Sequence, residues 1–206
     1  MPWKCPTLYP KSRAFIIANG PSVTAEDVER LRGQFVITVN RGYLIAPWAD
    51  ILLINDCWIW YHYAAEILTH AQNLIVSLCP RAYHERVKVM ERTGKYGIET
   101  ARWGLRCHHT VVHGACNIAV HGGAREIVLL GCDFGIAENG AMHFCGSHKP
   151  EIEKGRADNQ RYAEAAAHVA GLVKPLADRG VQLINATRGG NLQGVPRRSL
   201  DSLLSD

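Results

Sequence analysis

Short, continuously apolar runs alternate with helical stretches along most of this chain. The runs predicted to be strands are, in chain order, Ala14–Ala18, Phe35–Val39, Ile51–Ile54, Asn73–Ser77, Glu126–Leu130 and Val181–Ile184. Each run is apolar along most of its length rather than at alternate positions, which is typical of parallel strands buried on both faces. Helices are predicted over Thr24–Arg32, over Asn159–Arg179 and around Cys116–His121. Strands and helices in this order predict an α/β fold with a mostly parallel sheet and helices on both faces.

Composition agrees with a single globular unit. The 206 residues are 47% hydrophobic and 20% charged, which excludes a disordered or fibrous chain. We therefore predict one Rossmann-like domain over residues 1–206. The apolar runs are too short to span a bilayer, and Met1–Pro10 has no basic start followed by an apolar core, so we predict a cytoplasmic protein without a membrane span. The net charge of +4 mildly favours anionic ligands.

The cysteine pattern gives no sign of disulfides. Seven cysteines are scattered along the chain at positions 5, 57, 79, 107, 116, 132 and 145, and none forms a CxxC pair. Because an odd number without paired spacing is typical of cytosolic thiols, we predict seven reduced cysteines, most of them in the core.

Two segments lack a clear helical or strand pattern. The first covers residues 80–109, in which Arg81–Arg92 is predicted as an exposed helix and Thr93–Gly104 as a loop. The second covers residues 135–155. Both have the composition of active-site lids, and a plain surface excursion fits the first equally well.

Three of the predicted strands lead into an asparagine, at Asn19, Asn40 and Asn55. In an open parallel sheet, ligands bind at the edge where the strands end. An amide side chain offers both donors and an acceptor, which suits ribose hydroxyls or the edge of a base. Asparagine also favours turns in general, but three at one edge favour a binding function. The pattern predicts a nucleotide site.

Other residues are predicted at the same edge. The turn after the first strand, Asn19-Gly20-Pro21-Ser22, is predicted to bind the nucleotide: Gly20 allows close backbone approach, and Ser22 with the N–H groups of the next helix can hold an anion. The turn matches neither the GxGxxG fingerprint nor a GxxxxGK[ST] phosphate loop. Asp133 follows Glu126–Leu130 and adds a carboxylate.

Two histidines, His143 and His148, lie in the short stretch HFCGSH. A histidine can take a proton from a hydroxyl at neutral pH and so act as a general base. Alternatively, both histidines and Cys145, with Asp133 as a fourth ligand, could hold a metal, although HxCxxH is not a common zinc spacing. Ordinary loop histidines are the third interpretation. We predict no dedicated metal site.

A second histidine group precedes a helix predicted to begin near Gly114. His113 is predicted to cap this helix and to face a ligand phosphate, whereas His108 and His109 are interpreted as surface residues.

Several motifs resemble two related protein families. The segments FIIANGPSV, VNRGY, LIND and VVHGACNIAVHGGAREIVLLGCDFG are similar to those of bacterial CMP-sialic-acid-dependent sialyltransferases. They also resemble the MptE-like 6-hydroxymethylpterin pyrophosphokinases, which include many phage-encoded proteins. The segment NATRGGNLQG looks more like the second family. The resemblance runs from about Phe15 to Asn191 in scattered motifs.

The sialyltransferase resemblance implies roles for individual residues. The positions that match Asn19, Gly20, Asn40, Asn55 and Gly114 surround the cytidine nucleotide in that family. The last histidine of a similar loop, which matches His148, is the family's general base. Two tyrosines that steady the leaving phosphate are replaced here by Gly135 and His143, so the resemblance is incomplete at that step.

These observations lead to three alternative functions. The first is glycosyl transfer from a CMP-type donor, with His148 as base and no cofactor required. The second is Mg²⁺-dependent pyrophosphoryl transfer from ATP, with Asp133 or Asp56 as metal ligands. The third is nucleotide binding without turnover. The acceptor is open, a modified DNA base included, and a homo-oligomer is compatible with the sequence.

Overall fold

The computed structural model describes residues 3–10, 12–146 and 159–205. Its strands are β1 (Arg13–Ile17), β2 (Phe35–Val39), β3 (Ile51–Ile54), β4 (Leu74–Ser77), β5 (Val87–Val89), β6 (Glu91–Gly94), β7 (Gly104–Arg106), β8 (Glu126–Leu130) and β9 (Gln182–Asn185). Its α-helices are α1 (Ala25–Glu29), α2 (Cys57–His70), α3 (Val111–Gly122), α4 (Asn159–Ala170), α5 (Val173–Ala177) and α6 (Leu200–Leu204).

Seven of the strands form one parallel sheet in the order β5-β4-β3-β2-β1-β8-β9. The chain builds outward from β1 to β5 and then returns to the other side of β1 with β8 and β9. Strand order therefore reverses between β1 and β8, where Ile17 pairs with both Thr38 and Leu130. Such a reversal leaves a crevice beyond the carboxyl ends of the two strands.

Alternate residues of the strands pack against helices on opposite faces of the sheet. Ala14 and Ile16 face a cluster that includes residues of α3, α4 and α5. Phe15 and Ile17 face a cluster with residues of α1 and α6, and α2 packs against Leu52 and the same face of its neighbours. The predicted α/β fold with a parallel sheet and helices on both faces is confirmed.

Capping residues determine where the helices begin and end. Thr24 caps α1 by accepting a hydrogen bond from the N–H of Asp27, as its position before the helix predicts. Thr110 caps α3, which starts at Val111, so this helix begins a turn earlier than predicted from Gly114. Gly123 ends α3 in a left-handed conformation with φ of 95°.

The helix predicted over Asn159–Arg179 is divided into α4 and α5. Pro175 has no N–H with which to bond the carbonyl of Gly171, four residues earlier, and its ring crowds that carbonyl. The helical hydrogen-bond ladder is therefore interrupted near Gly171.

The predicted exposed helix over Arg81–Arg92 is wrong. Residues Val87–Val89 form β5, which pairs with β4 through Ile75 and Val87 and thereby extends the main sheet. β6 and β7 form a separate two-stranded parallel pair. The loop between them is anchored, because Ile98 is buried in the core and the N–H of Glu99 donates to Oδ1 of Asn117 over 2.7 Å.

The prediction of seven free thiols is also wrong. Cys57, at the start of α2, forms a disulfide with Cys79, just after β4, across a Cα–Cα distance of 4.9 Å. The pair is 22 residues apart in the chain and becomes adjacent because β3 and β4 are neighbours. Of the five remaining thiols, Cys5, Cys107, Cys116 and Cys132 are buried, as predicted for the core.

No helix in the described part of the chain combines the length and the apolar character that a membrane crossing needs. The prediction that residues 135–155 form an irregular segment can be compared with the structure only as far as Gly146, because residues 147–158 lie outside the described residues.

Candidate functional site

Two adjoining cavities open where the central strands end, and we call them together the strand-end cleft. The smaller has a volume of about 150 Å³ and lies over the reversal between β1 and β8; the larger, of about 350 Å³, lies beyond β2 and β3. Asn40, Thr110 and Val111 line both cavities. The position is the one expected for the ligand crevice of an open parallel sheet.

All three strand-end asparagines line the strand-end cleft, but their environments differ. Asn19 and Asn40 each have a buried Oδ1 atom with no hydrogen-bond partner among the described residues. Asn55 is engaged within the protein: its Oδ1 accepts from Nη2 of Arg92 over 2.7 Å and from the thiol of Cys107 over 3.3 Å. A buried amide oxygen without a partner is costly, so Asn19 and Asn40 are the ones suited to a ligand.

The backbone around the strand-end cleft is held in unusual conformations. Asn40, His109 and Phe134, with φ of 50°, 55° and 46°, are the only non-glycine residues with positive φ in the described part of the chain. Each of them lines the strand-end cleft. Such strained residues persist only where the surrounding structure holds them in place, and they concentrate at functional sites.

Asp133 is a buried carboxylate in the smaller cavity, and Gly20 and Ser22 form its surroundings. The hydroxyl of Ser22 donates to Oδ2 of Asp133 over 2.9 Å. A Cβ atom on Gly20 would overlap the same carboxylate oxygen and the carbonyl of Gly131. Burial raises the pKa of Asp133 above its ordinary value. Of the two residues predicted to contact a ligand directly, Ser22 thus holds Asp133 in position, and Gly20 leaves room for its carboxylate.

His113 does not have the predicted role. Thr110, not His113, caps α3, and the His113 side chain is fully buried with Nε2 2.6 Å from the carbonyl of Gly97. Its Nδ1 faces His168 rather than either cavity. Gly114, a residue of α3, packs closely against β3, where a Cβ would lie 3.1 Å from Cδ2 of Leu53. Helix geometry places both residues toward the protein interior.

His143, which was predicted as a catalytic residue, lines the smaller cavity. Its loop is tied to the end of β1, because the N–H of Phe144 donates to the carbonyl of Asn19 over 3.0 Å. The Phe144 ring packs against the core cluster under α1. His148, the residue predicted as general base, lies outside the described residues, and so does Ser147.

The larger cavity carries charged and titratable side chains. Asp56 and Arg92 line it together with His108 and His109, which were interpreted as surface residues. His109 is also 3.7 Å from Glu164 of α4. Partial desolvation and the charges of His109, Lys95 and Arg92 lower the pKa of His108. His108 and His109 therefore lie at the protein surface and also line the larger cavity.

A metal site from the HFCGSH stretch falls partly outside the described residues. Within residues 3–10, 12–146 and 159–205, no group of three or more His, Cys, Asp or Glu side chains is placed to hold a metal ion. Asp133 and Asp56 line different cavities, so each would offer a single carboxylate.

The residues that line the strand-end cleft and that sequence reasoning missed include Arg92, Thr110, Met142 and Tyr162. Thr110 carried a detectable signal, since a threonine before an apolar helical run is a typical N-cap. Arg92 was hidden in a segment predicted as helix. Tyr162 reaches the smaller cavity from α4, which no local pattern relates to the strand ends.

The chain was compared with protein-family models, curated proteins and solved structures, and none of the three comparisons found a match.

Proposed function

We propose that this protein is a nucleotide-binding transferase whose donor occupies the strand-end cleft, and that the reaction is glycosyl transfer from a CMP-type sugar nucleotide. The observation that carries the proposal is the pair of buried, unpartnered Oδ1 atoms of Asn19 and Asn40 at the reversal of strand order. Two amide acceptors at this position suit ribose hydroxyls, which can donate a hydrogen bond to each.

The chemistry of the walls supports a nucleotide rather than a wholly apolar ligand. Val39 and Val111 give the smaller cavity apolar sides, against which a base or ribose can pack. The larger cavity, of about 350 Å³, offers Arg92 and His109 for a phosphate or a sugar carboxylate. The smaller cavity, with mostly apolar walls and a few convergent polar groups, has the character typical of small-molecule sites.

We propose His148 as the general base and His143 as the group beside the leaving phosphate. Both assignments come from the sialyltransferase resemblance, and the position of His143 in the smaller cavity supports the second. A neutral His148 would take the proton of the acceptor hydroxyl. The oxygen of that hydroxyl would attack the anomeric carbon of the donor sugar as the nucleotide departs. A protonated His143 would hydrogen-bond the phosphate that leaves. A cytoplasmic location belongs to the same proposal, in which the acceptor is open and a modified DNA base is one candidate. An MptE-like or phage origin belongs to the alternative of pyrophosphoryl transfer.

A nucleotide panel tests the proposal. The melting temperature is measured with CMP, CDP, ATP and GTP, each with and without Mg²⁺, because a ligand that binds only the folded state stabilises it by RT ln(1 + [L]/Kd). We expect stabilisation by CMP or CDP that does not need Mg²⁺. Stabilisation by ATP only with Mg²⁺ would favour pyrophosphoryl transfer with Asp133 or Asp56 as a ligand, and no shift with any nucleotide would overturn the proposal. Release of CMP from a CMP-sugar then separates an enzyme from a binding protein.

A further inference from the structure

A cavity of about 500 Å³ lies beside β9, and we call it the arginine cleft. The charged residues that line it are Asp27, Arg30, Arg188, Arg197, Arg198 and Asp201. None of these residues lines the strand-end cleft. Ala186 and Thr187, which also line it, directly follow β9, so the arginine cleft opens at the same edge of the sheet, one strand away from β8.

The arginine cleft carries a net positive charge. Four arginines line it against two aspartates, an excess of two positive charges at neutral pH. The arginines come from distant parts of the chain, since Arg30 follows α1 whereas Arg188, Arg197 and Arg198 follow β9. The repulsion among four like charges is offset only in part by the two aspartates, so an anion bound in the cleft would lower it further.

A buried carboxylate fixes the direction of one arginine. Asp27, whose side chain is 5% exposed, accepts from Nε of Arg188 over 2.8 Å and from Nη2 over 2.6 Å. The hydrogen bonds from Arg188 hold the pKa of Asp27 below its ordinary value, so the carboxylate stays charged. A guanidinium has five N–H donors, and Arg188 uses two of them here while its side chain remains 63% exposed.

Two further arginines are held at the rim. Nη2 of Arg197 donates to the carbonyl of Thr187 over 2.6 Å. Nη2 of Arg30 pairs with Asp201 over 2.7 Å, and this aspartate is 80% exposed. The guanidinium groups are thus oriented in advance by the protein, with donors left over for a ligand.

We propose that the arginine cleft is a second ligand site that binds a phosphate group, carried by a free phosphate ester or by a nucleic-acid backbone. Arginine forks match the planar edge of a phosphate with paired hydrogen bonds, and their weak hydration favours the exchange of water for an anion. The proposal does not depend on the function proposed for the strand-end cleft.

The loop after Arg188 connects the two sites. Asn191 donates from its N–H to the carbonyl of Asp133 over 2.7 Å and from Nδ2 to that of Phe134 over 3.0 Å. Gly190 lies against the Asp133 backbone so closely that a Cβ would overlap it. A phosphate held by Arg188 would therefore bind at the other end of a loop that contacts the wall of the strand-end cleft.

Binding is measured by isothermal titration calorimetry at low ionic strength, because salt screens such contacts. One arm uses pyrophosphate and the other a short single-stranded oligothymidine. We expect at least one of them to bind, and Arg197→Gln to weaken binding by about 10- to 100-fold, the effect of losing a charge-assisted hydrogen bond. Binding of pyrophosphate identifies a small, free phosphate compound as the ligand class, and binding of the oligonucleotide alone identifies the backbone of a nucleic acid.

Arg188→Lys is the second variant, because it keeps a charge beside Asp27 and removes the fork. Arg81→Gln is the matched control, since it removes an exposed arginine near β4, far from the arginine cleft in the sheet. Each variant is checked for folding by urea denaturation. The proposal is overturned if neither ligand binds the unaltered protein, or if Arg81→Gln weakens binding as much as Arg197→Gln. It is also overturned if only Asn19→Ala weakens binding, because the anion would then occupy the strand-end cleft.

Discussion

His168 donates a hydrogen bond from Nε2 to Nδ1 of His113, with 2.8 Å between the two nitrogens. Nε2 of His113 lies 2.6 Å from the carbonyl of Gly97, and because a carbonyl only accepts, this nitrogen carries the proton. Burial lowers the pKa of His113 and so favours its neutral ring, in which Nδ1 is the acceptor. The two histidines join α4 to α3 and to the loop between β6 and β7, next to the larger cavity.

The histidine pair predicts a loss of stability in mild acid. Burial, followed by the neighbouring histidines 113, 109 and 108, lowers the pKa of His168 from an ordinary 6.5 to about 4. Burial also lowers the pKa of His113. Between pH 6.5 and 4 the unfolded chain therefore binds more protons than the folded chain, so the free energy of unfolding falls as the pH falls. Urea denaturation at several pH values measures this slope.

His168→Gln separates this pair from other acid effects. Glutamine can still donate to Nδ1 of His113 but does not titrate, so we expect a shallower dependence of the unfolding free energy on pH in the same range. His84→Gln, at an exposed histidine outside the pair, should keep the original slope. Equal slopes for His168→Gln and the unaltered protein would contradict the assignment.

Loss of either unpartnered amide should weaken nucleotide binding. We expect Asn19→Ala and Asn40→Gly each to raise the Kd of the nucleotide that stabilises the protein by about 2- to 10-fold, the equivalent of one hydrogen bond. Glycine is chosen for Asn40 because φ is 50° there, and alanine would add backbone strain. Calorimetric titration provides the Kd values.

Asn139→Ala serves as the control for these variants, because Asn139 is exposed and lines neither cavity of the strand-end cleft. It should leave the Kd unchanged. If Asn19→Ala and Asn40→Gly both fold and also bind with the original affinity, the nucleotide does not occupy the strand-end cleft.

Gly20→Ala should destabilise the protein by about 1–3 kcal/mol, the usual cost of overpacking. The added methyl group would overlap Oδ2 of Asp133 and the carbonyl of Gly131, so the ends of β1 and β8 must move apart. Gly189→Ala is a matched substitution, since a Cβ there meets nothing within 4 Å. Urea denaturation compares the two variants, and equal stability would show that the strand ends accommodate a side chain.

The disulfide predicts a defined alkylation pattern. Denatured protein treated with iodoacetamide without reductant should gain five carbamidomethyl groups, because Cys57 and Cys79 are joined. After reduction it should gain seven, one for each cysteine. Intact mass measures both numbers. Seven groups without reductant would show that the pair is reduced in the purified protein.

Local patterns were sufficient for six of the seven strands of the main sheet and for one edge of the site. A run such as Phe35–Val39 is apolar at every position except Thr38, and this near-continuous pattern indicates a strand covered on both faces. The carboxyl ends of parallel strands share an edge of the sheet, so the sequence alone places Asn19, Asn40 and Asn55 together, and all three line the strand-end cleft. Both inferences use only neighbours in sequence and one general rule of α/β folds.

Interactions between distant residues required the folded chain. Strand β5 is short and is flanked by charged side chains, and its residues form a strand only because β4 pairs with them. Cys57 meets Cys79 through the adjacency of β3 and β4, and Arg188 meets Asp27 through the packing of α1 beside β9. The direction in which His113 points depends on Gly97 and His168, which supply its two hydrogen bonds. Contacts of this kind form between segments far apart in sequence, where no periodicity or spacing carries information about them.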